Sequence, residues 1–390
     1  MEDIVVSAPG KVILHGEHAV VYGKVALASA LNLRTFLRIR KKNDGKISLN
    51  LPNIDIKASW EIQNLKNSLQ LPLCDPLKPN CVENEVLDQL KVIAGISPDS
   101  TQTTDLALIA FLYLMGSITV TSGDLPSIEV TVSSNLPISA GLGSSAGYSV
   151  CLAASLLQLN GFIGSQGSED TAGWSKDDMV LINSWAFQGE KIIHGNPSGI
   201  DNSVSSYGGA IRFQSGKITP IEKMPKLRIL LINTKIPRST KTLVAGMRDL
   251  YNTLPNVMQP ILDSTEAVTE KCQSVLAQLV NDGTDENYKI LEKLIDINQH
   301  LLEAMGVGHP ALNTIVMLTC KYGLHSKLTG AGGGGCAFTL LRPDTAEDKI
   351  TNIKKELNML GYDCWETSVG ANGVSRHLDL NSTSFPSNLL

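Results

Sequence analysis

The chain has 390 residues, with 33 basic and 38 acidic side chains and a net charge of -5. That balance excludes a nucleic-acid binder, which needs a basic face to displace counterions. With 43% apolar residues the chain can bury a sizeable core, and its length suits two domains or one large one. The seven cysteines form no CxxC pair, and Cys151, Cys272 and Cys336 sit in apolar contexts. They read as reduced core residues of a cytosol-like compartment. No signal peptide is expected at Met1 to Val6, which is short and acidic.

Residues 4–40 read as β-rich. Ile4 to Ser7 leads into a Pro-Gly turn, and Leu31, Leu33, Thr35, Leu37 and Ile39 alternate as in a half-buried strand. The basic run Arg38, Arg40, Lys41 and Lys42 reads as a solvated strand edge. Residues 60–104 read as helical pieces joined by a loop around Leu73 to Cys81. The apolar run Leu106 to Val120 falls short of the roughly 20 residues of a membrane span, so it reads as a buried helix running toward a strand. Ile128, Val130 and Val132 mark another strand, and a helix is expected from about Ser145 to Leu159. The stretch 161–175 reads as a surface excursion. Ser175 and Asp178 resemble a capping box opening a helix over 176–194.

Gly216, Pro220 and Pro225 place a boundary that divides 1–225 from 226–390. Ile229 to Asn233 reads as a buried strand, followed by amphipathic helices over about 257–281 and 286–305. The first of these carries Ile261, Val268, Cys272, Val275 and Leu279 on one face. A strand, a glycine tract and a strand fill 326–341. A charged helix and a last strand complete the core, and the Ser/Asn-rich residues after about 378 read as frayed. Helices and strands mix without regular alternation, so the class is α+β.

The loop Leu136-Pro137-Ile138-Ser139-Ala140-Gly141-Leu142-Gly143-Ser144-Ser145 opens a helix. Glycines let backbone N–H groups meet an oxyanion, and the free N–H groups and dipole of the helix favour phosphate there. The dinucleotide fingerprint fits poorly. Polar, Pro-kinked residues precede the first glycine, and no acid follows near 160–168 to close a second strand. There is no GxxxxGK[ST] either. The second tract, Gly330 to Gly335, reads as a loop closing over phosphates or substrate.

Phosphoryl transfer needs a cation at the γ-phosphate, a metal, and a group that orients the attacking hydroxyl. Lys11 follows a strand and is a candidate cation. Glu190 on a helix and Asp201 past the turn Gly195-Asn196-Pro197-Ser198-Gly199 can converge on one metal and one hydroxyl. His15-Gly16-Glu17-His18 has the wrong spacing for zinc ligation from one helix face. Gly143-Ser144-Ser145-Ala146-Gly147 is only a partial match to a hydrolase elbow, unsupported by an oxyanion loop or a late His-bearing loop.

Pro9 to His18, Gly141 to Ser145, and Lys327 to Cys336 resemble the three motifs of the galactokinase, homoserine kinase, mevalonate kinase and phosphomevalonate kinase (GHMP) superfamily, in order and over nearly the whole chain. Gly189 to Asn202 and Asn233-Thr234-Lys235 resemble its animal mevalonate kinase branch. The resemblance implies a larger N-terminal domain like the second domain of ribosomal protein S5 and a ferredoxin-like C-terminal domain, with ATP in the cleft. It implies phosphate contacts from Lys11, Ser134, Ser139, Ala140, Gly141, Leu142, Gly143, Ser144 and Ser145, with Asn53 at the nucleotide. Ser145 and Glu190 would hold Mg²⁺, and Asp201 would face the substrate hydroxyl beside Lys11. Glu17, His18 and Thr240 would shape the pocket for mevalonate, with Lys235 or Arg238 nearest its carboxylate. The resemblance also implies a homodimer and feedback inhibition by prenyl diphosphates competing with ATP. A cytoplasmic enzyme is expected, acting on neither nucleic acid nor membrane.

Overall fold

The computed structural model describes residues 3–68, 75–79, 83–119, 125–138, 140–164, 171–221, 223–281, 283–378 and 385–389. Of the loop around Leu73 to Cys81, only 75–79 is therefore described.

β1 (Ile4–His15) and β2 (Ala26–Lys41) pair antiparallel along most of their length. The expected Pro-Gly turn is instead a register shift inside one continuous strand, where pairing passes from Pro9↔Arg34 to Gly10↔Leu31. Pro-Gly chemistry suits a bulge as well as a turn, and tertiary partners decide between them. Here the Ser205 hydroxyl donates to the Pro9 carbonyl at 2.8 Å, and the Lys11 amide donates to the Leu142 carbonyl at 2.8 Å. Only glycine fits at position 10, because a Cβ would lie 2.5 Å from a Leu136 methyl and 2.8 Å from the Leu142 carbonyl.

β3 (Lys46–Leu51) and β4 (Ile56–Glu61) form a hairpin, and β3 runs parallel to β5 (Ile128–Ser134). β5 pairs with the far side of β2, so the basic run is no sheet edge. It is neutralised instead, with Arg38 on Asp3 at 2.6 Å and Lys42 on Glu129 at 2.9 Å. The helices here are α1 (Ile62–Ser68), α2 (Asn84–Ala94), α3 (Thr103–Thr119), α4 (Ser144–Leu159) and α5 (Lys176–His194). Every residue of α3 from Ile109 onward is buried, as an all-apolar helix requires. The Ser175–Asp178 capping box is present in both directions. β6 (Thr171–Ala172) gives the 161–175 stretch a short strand, and α6 (Ile200–Tyr207), β7 (Ala210–Gln214) and β8 (Lys217–Ile221) follow.

The remaining elements are β9 (Leu227–Asn233), α7 (Thr240–Thr253), α8 (Pro255–Asn281), α9 (Asp285–Ala304), α10 (Pro310–Lys321), β10 (Ser326–Leu328), β11 (Cys336–Leu341), α11 (Glu347–Met359), β12 (Asp363–Val369) and β13 (Ser375–His377). The expectation lacked α7 and α10. The sheet path is β10-β11-β9-β12-β2-β1-β13-β6. β12 pairs with β9 along its length and with β2 at Val369↔Leu31, and β13 pairs with β1 at Val5, Val6 and Ser7, so the later strands rejoin β1 and β2 at two places.

The tail differs from the expectation at 385–389, where Phe385 and Leu389 are buried against Val5 and Phe36. Two apolar anchors outweigh the polar composition around them. The His377 ring lies 5.1 Å from that of Phe385, and its Nε2 is 2.7 Å from the Ser7 hydroxyl. Burial, and then the Arg34 charge, lower His377 to about 4. The unfolded chain therefore binds a proton that the fold refuses. This contribution to stability is present above the ordinary pKa of 6.5 and is lost as pH falls through about 4. Melting temperatures between these limits should fall less steeply for His377→Gln than for the parent; identical slopes would contradict the assignment.

Candidate active site

The glycine loop sits at the N-terminus of α4. Gly141 and Gly143 both have φ of 74°, and Gly143 is the N-cap. With no side-chain cap, the first N–H groups of α4 remain open to an anion. A Cβ on Gly143 would lie 3.0 Å from Lys11 Cγ and 3.7 Å from Asp201 Oδ2, so the missing side chain lets both functional groups reach the loop.

Lys11 Nζ lies 3.4 Å from Asp201 Oδ1. The Lys11 side chain is 11% exposed and that of Asp201 35%, so the carboxylate faces open space while its cation is shielded. Asp201 occupies the first turn of α6 after Gly199, whose φ of 81° makes the turn. The Ser205–Pro9 bond ties α6 to β1, so both partners hang from one strand.

Glu190 on α5 is 2% exposed. Its two oxygens accept from Ser145 and Ser149, each at 3.4 Å. Burial, and then the charge of Asp201, raise it to about 8, against the opposing pull of the two serines and Lys11. A buried carboxylate so poorly compensated favours a cation. Ser145 and Glu190 are two hard oxygen donors side by side at 3.4 Å. This suits Mg²⁺, which takes few protein ligands and completes its shell with phosphate and water. His194 was not singled out from sequence, yet its Nε2 lies 2.9 Å from the Ser145 hydroxyl. Its position one helical turn after Glu190 was the available signal.

Of these groups, Gly141, Gly143, Ser145, His194 and Asp201 line a cavity of about 420 Å³. Leu51, Ile54, Ala107, Val132 and Ile193 give it an apolar wall, and Thr103 and Thr104 add hydroxyls that the sequence reading missed. Asn53 lines the cavity, but its amide is engaged with the Ser134 backbone, donating to O at 3.0 Å and accepting from N at 2.8 Å. Asn53 thus shapes the rim by joining the β3 end to β5. Ser139 lies outside the described residues.

From the other half, Arg238 reaches across and donates to the Ala140 carbonyl at 2.9 Å. Its guanidinium occupies the space that side chains on Gly141 and Gly335 would fill, at 2.3 Å and 1.0 Å. Burial lowers its pKa, and among the described residues no carboxylate pairs with it. Lys235 points to Asp363 instead, at 2.7 Å. The three expected substrate residues separate. His18, at φ 59°, donates Nε2–H to the Ala331 carbonyl at 2.8 Å and leaves Nδ1 buried without a partner among the described residues. Thr240 is exposed at the start of α7. Glu17 is fully buried and bonded to Lys327 and Asn298, away from the cavity lining.

A phosphate-binding helix start, a carboxylate–lysine pair and a second glycine tract opposite define a small-molecule kinase of the GHMP class. The signature described as GHMP kinases N terminal domain matches residues 106–209, and that of GHMP kinases C terminal matches 275–358. Mevalonate kinase of Bos taurus is 51% identical over 96% of this chain and 95% of its own, and that of Homo sapiens 50% over the same shares. The solved mevalonate kinase of Methanococcus jannaschii superposes with a TM-score of 0.68 at 23% identity, covering 95% of this chain and 99% of that one. The chain belongs to the mevalonate kinase family.

The charge on Glu190 costs stability as long as no cation sits beside it. A raised carboxyl pKa contributes stability below the ordinary 4.5 that is lost as pH rises through about 8. Metal-free Glu190→Gln should therefore gain in melting temperature over the parent as pH rises across that window. It should also need far more Mg²⁺ for half-maximal turnover, because an amide is a poor ligand for a hard cation. An unchanged Mg²⁺ requirement would remove Glu190 from the metal site.

Proposed function

We propose that this chain transfers the γ-phosphoryl group of ATP to the primary hydroxyl of mevalonate, giving 5-phosphomevalonate and ADP for isoprenoid and sterol synthesis. The observation that carries this reading is the Lys11–Asp201 pair at 3.4 Å beside the open N-terminus of α4. The Leishmania major mevalonate kinase solved with R-mevalonate has the same fold, with a TM-score of 0.65. The roughly half-identical animal relatives favour mevalonate over other substrates of the class.

In this reading the α4 N–H groups and the loop from Ala140 to Ser145 receive the phosphates, and the helix dipole stabilises charge that grows during transfer. Ser145 and Glu190 would hold Mg²⁺, which would supply positive charge against the phosphates of the nucleotide. Asp201 aligns the primary hydroxyl and accepts its proton at Oδ2, the oxygen facing Gly143, while Lys11 holds Oδ1. Arg238, a cation between the two glycine tracts with no carboxylate partner among the described residues, is our assignment for the mevalonate carboxylate, with His18 and Thr240 at its other polar groups. Ser139 and Asn53 complete the nucleotide side.

The apolar cavity wall next to a phosphate loop also suits a prenyl diphosphate, and we assign feedback inhibitors to this same cavity, in competition with ATP. A homodimer, a cytoplasmic location and a domain division at 225/226 complete the proposal. Among the described residues no helix is long and apolar enough to cross a membrane.

Measuring ADP release with mevalonate, galactose, homoserine and phosphomevalonate side by side tests the assignment; a substrate other than mevalonate turned over fastest would overturn it. Asp201→Asn should lower kcat by roughly 10²–10⁴-fold with little change in either KM. A raised KM with near-normal kcat would leave Asp201 as a binding residue. Arg238→Met should raise the KM for mevalonate well above any change for ATP; an effect confined to ATP would move Arg238 to the phosphates.

A further inference from the structure

The strand that leads into the second glycine tract carries a lysine with no access to solvent. Lys327 and Glu17 both have fully buried side chains and form an ion pair across 310 residues of sequence. Neither faces the cavity beside the glycine loop. Lys327 also donates to the Leu328 carbonyl at 2.7 Å and lies 5.2 Å from the centre of the Phe338 ring. Asn298 on α9 donates to the second Glu17 oxygen at 3.1 Å, and the neighbouring Gln299 accepts from the Leu328 amide at 2.8 Å. Burial, and then the Lys327 charge, hold His15 well below its usual range.

The bonds continue into the tract. The Thr329 hydroxyl donates to the Ile13 carbonyl at 2.9 Å and accepts from the Ile13 amide at 3.1 Å. His18 Nε2 donates to the Ala331 carbonyl at 2.8 Å. On the far side the Gly333 amide donates to the Val307 carbonyl at 2.8 Å. β10 and the tract are thus bonded to β1 and its following turn at Ile13, Glu17 and His18. Ile13 stands two residues after Lys11 on the same strand, and Gly335 carries the guanidinium of Arg238 against it.

We propose that Glu17 and Lys327, steadied by Asn298 and Thr329, are positioning residues that lock the glycine tract to β1 and so set the spacing between Lys11 and Asp201 on one side and Arg238 on the other. A buried pair costs desolvation on both ions and adds little net stability over an apolar pair of similar shape. The sheet joins the residues before and after 225 at Val369↔Leu31, at Gly208↔Asn372 and through β13 on β1 and β6; none of these pairings includes residues 329–335, so the register of the glycine tract on β1 rests on the side-chain bonds above. An error of about 1 Å in such a register costs on the order of 10²-fold in rate.

The functional arm of this inference rests on the kinase reading above; hydrogen exchange tests the lock without it. Either single replacement strands a buried charge, and a simple loss of folding would decide nothing. The informative variant is the double replacement Glu17→Gln with Lys327→Met, which removes both charges. Its melting temperature should return close to the parent value. The amides of residues 330–335 should nevertheless exchange faster, and kcat should stay down by at least about 10-fold with both KM values within about threefold. Recovery of kcat and of amide protection along with melting temperature would make the pair merely structural and overturn the proposal. A second comparison holds even if the double variant does not fold. Thr329→Ser keeps the hydroxyl and should keep kcat, whereas Thr329→Val should lose it and loosen the same amides; equal behaviour of the two would also overturn the proposal. Faster exchange that follows the prediction in an enzyme inert toward mevalonate would leave the lock standing and refute only the substrate assignment.

Discussion

One backbone hydrogen bond, from the Lys11 amide to the Leu142 carbonyl at 2.8 Å, joins the edge of the phosphate loop to the strand that carries the cation. It exists because β1 slips register between Pro9 and Gly10 and because Gly10 has no side chain to strike Leu136 or Leu142. The other features of the site hang from it. The bulge aims Lys11 at Asp201, and the freed Pro9 carbonyl receives Ser205, which anchors the helix bearing Asp201. Gly143, the next residue of the loop, then leaves room for both. The geometry of the Lys11–Asp201 pair is thus held by backbone and hydroxyl contacts, as the catalytic role proposed for it requires.

The electrostatics follow the same plan. Glu190 is buried, and its charge is favoured by the hydroxyls of Ser145 and Ser149 and by Lys11, which do not offset its burial and the charge of Asp201. Arg238 is the converse, a half-buried cation with no carboxylate partner among the described residues. Lys327 and Glu17, by contrast, satisfy each other completely, which separates them from the groups that await a ligand.

Much of this was legible in the sequence. The glycine loop, the Ser175–Asp178 box, the long helices α8 and α9 and the strand–glycine–strand unit at 326–341 all depend on local chemistry, and they stand where that chemistry put them. The class and the family were legible from three motifs. Less so were the elements whose signal is weak or shared. The Pro-Gly step serves a bulge or a turn equally, and α7 and α10 are short helices opened by Ser239 and by His309–Pro310 rather than by a long apolar period. The β3–β4 hairpin carries its inward set on Ile47, Leu49 and Leu51, an alternation present in the sequence but left unread. Glu17 was placed at the substrate because its neighbours belong to a motif; only the fold brings Lys327 to it from 310 residues away. Long-range pairing of that kind leaves no local trace.

The central claim is that Lys11 and Asp201 act as one unit in the transfer step. A double-mutant cycle on kcat, built from Lys11→Met, Asp201→Asn and their combination, measures that coupling directly. If the pair acts as a unit, the double variant will be far less impaired than the product of the two single effects. If the two losses multiply, each residue works alone, and the geometry around the Leu142 carbonyl has been given the wrong meaning.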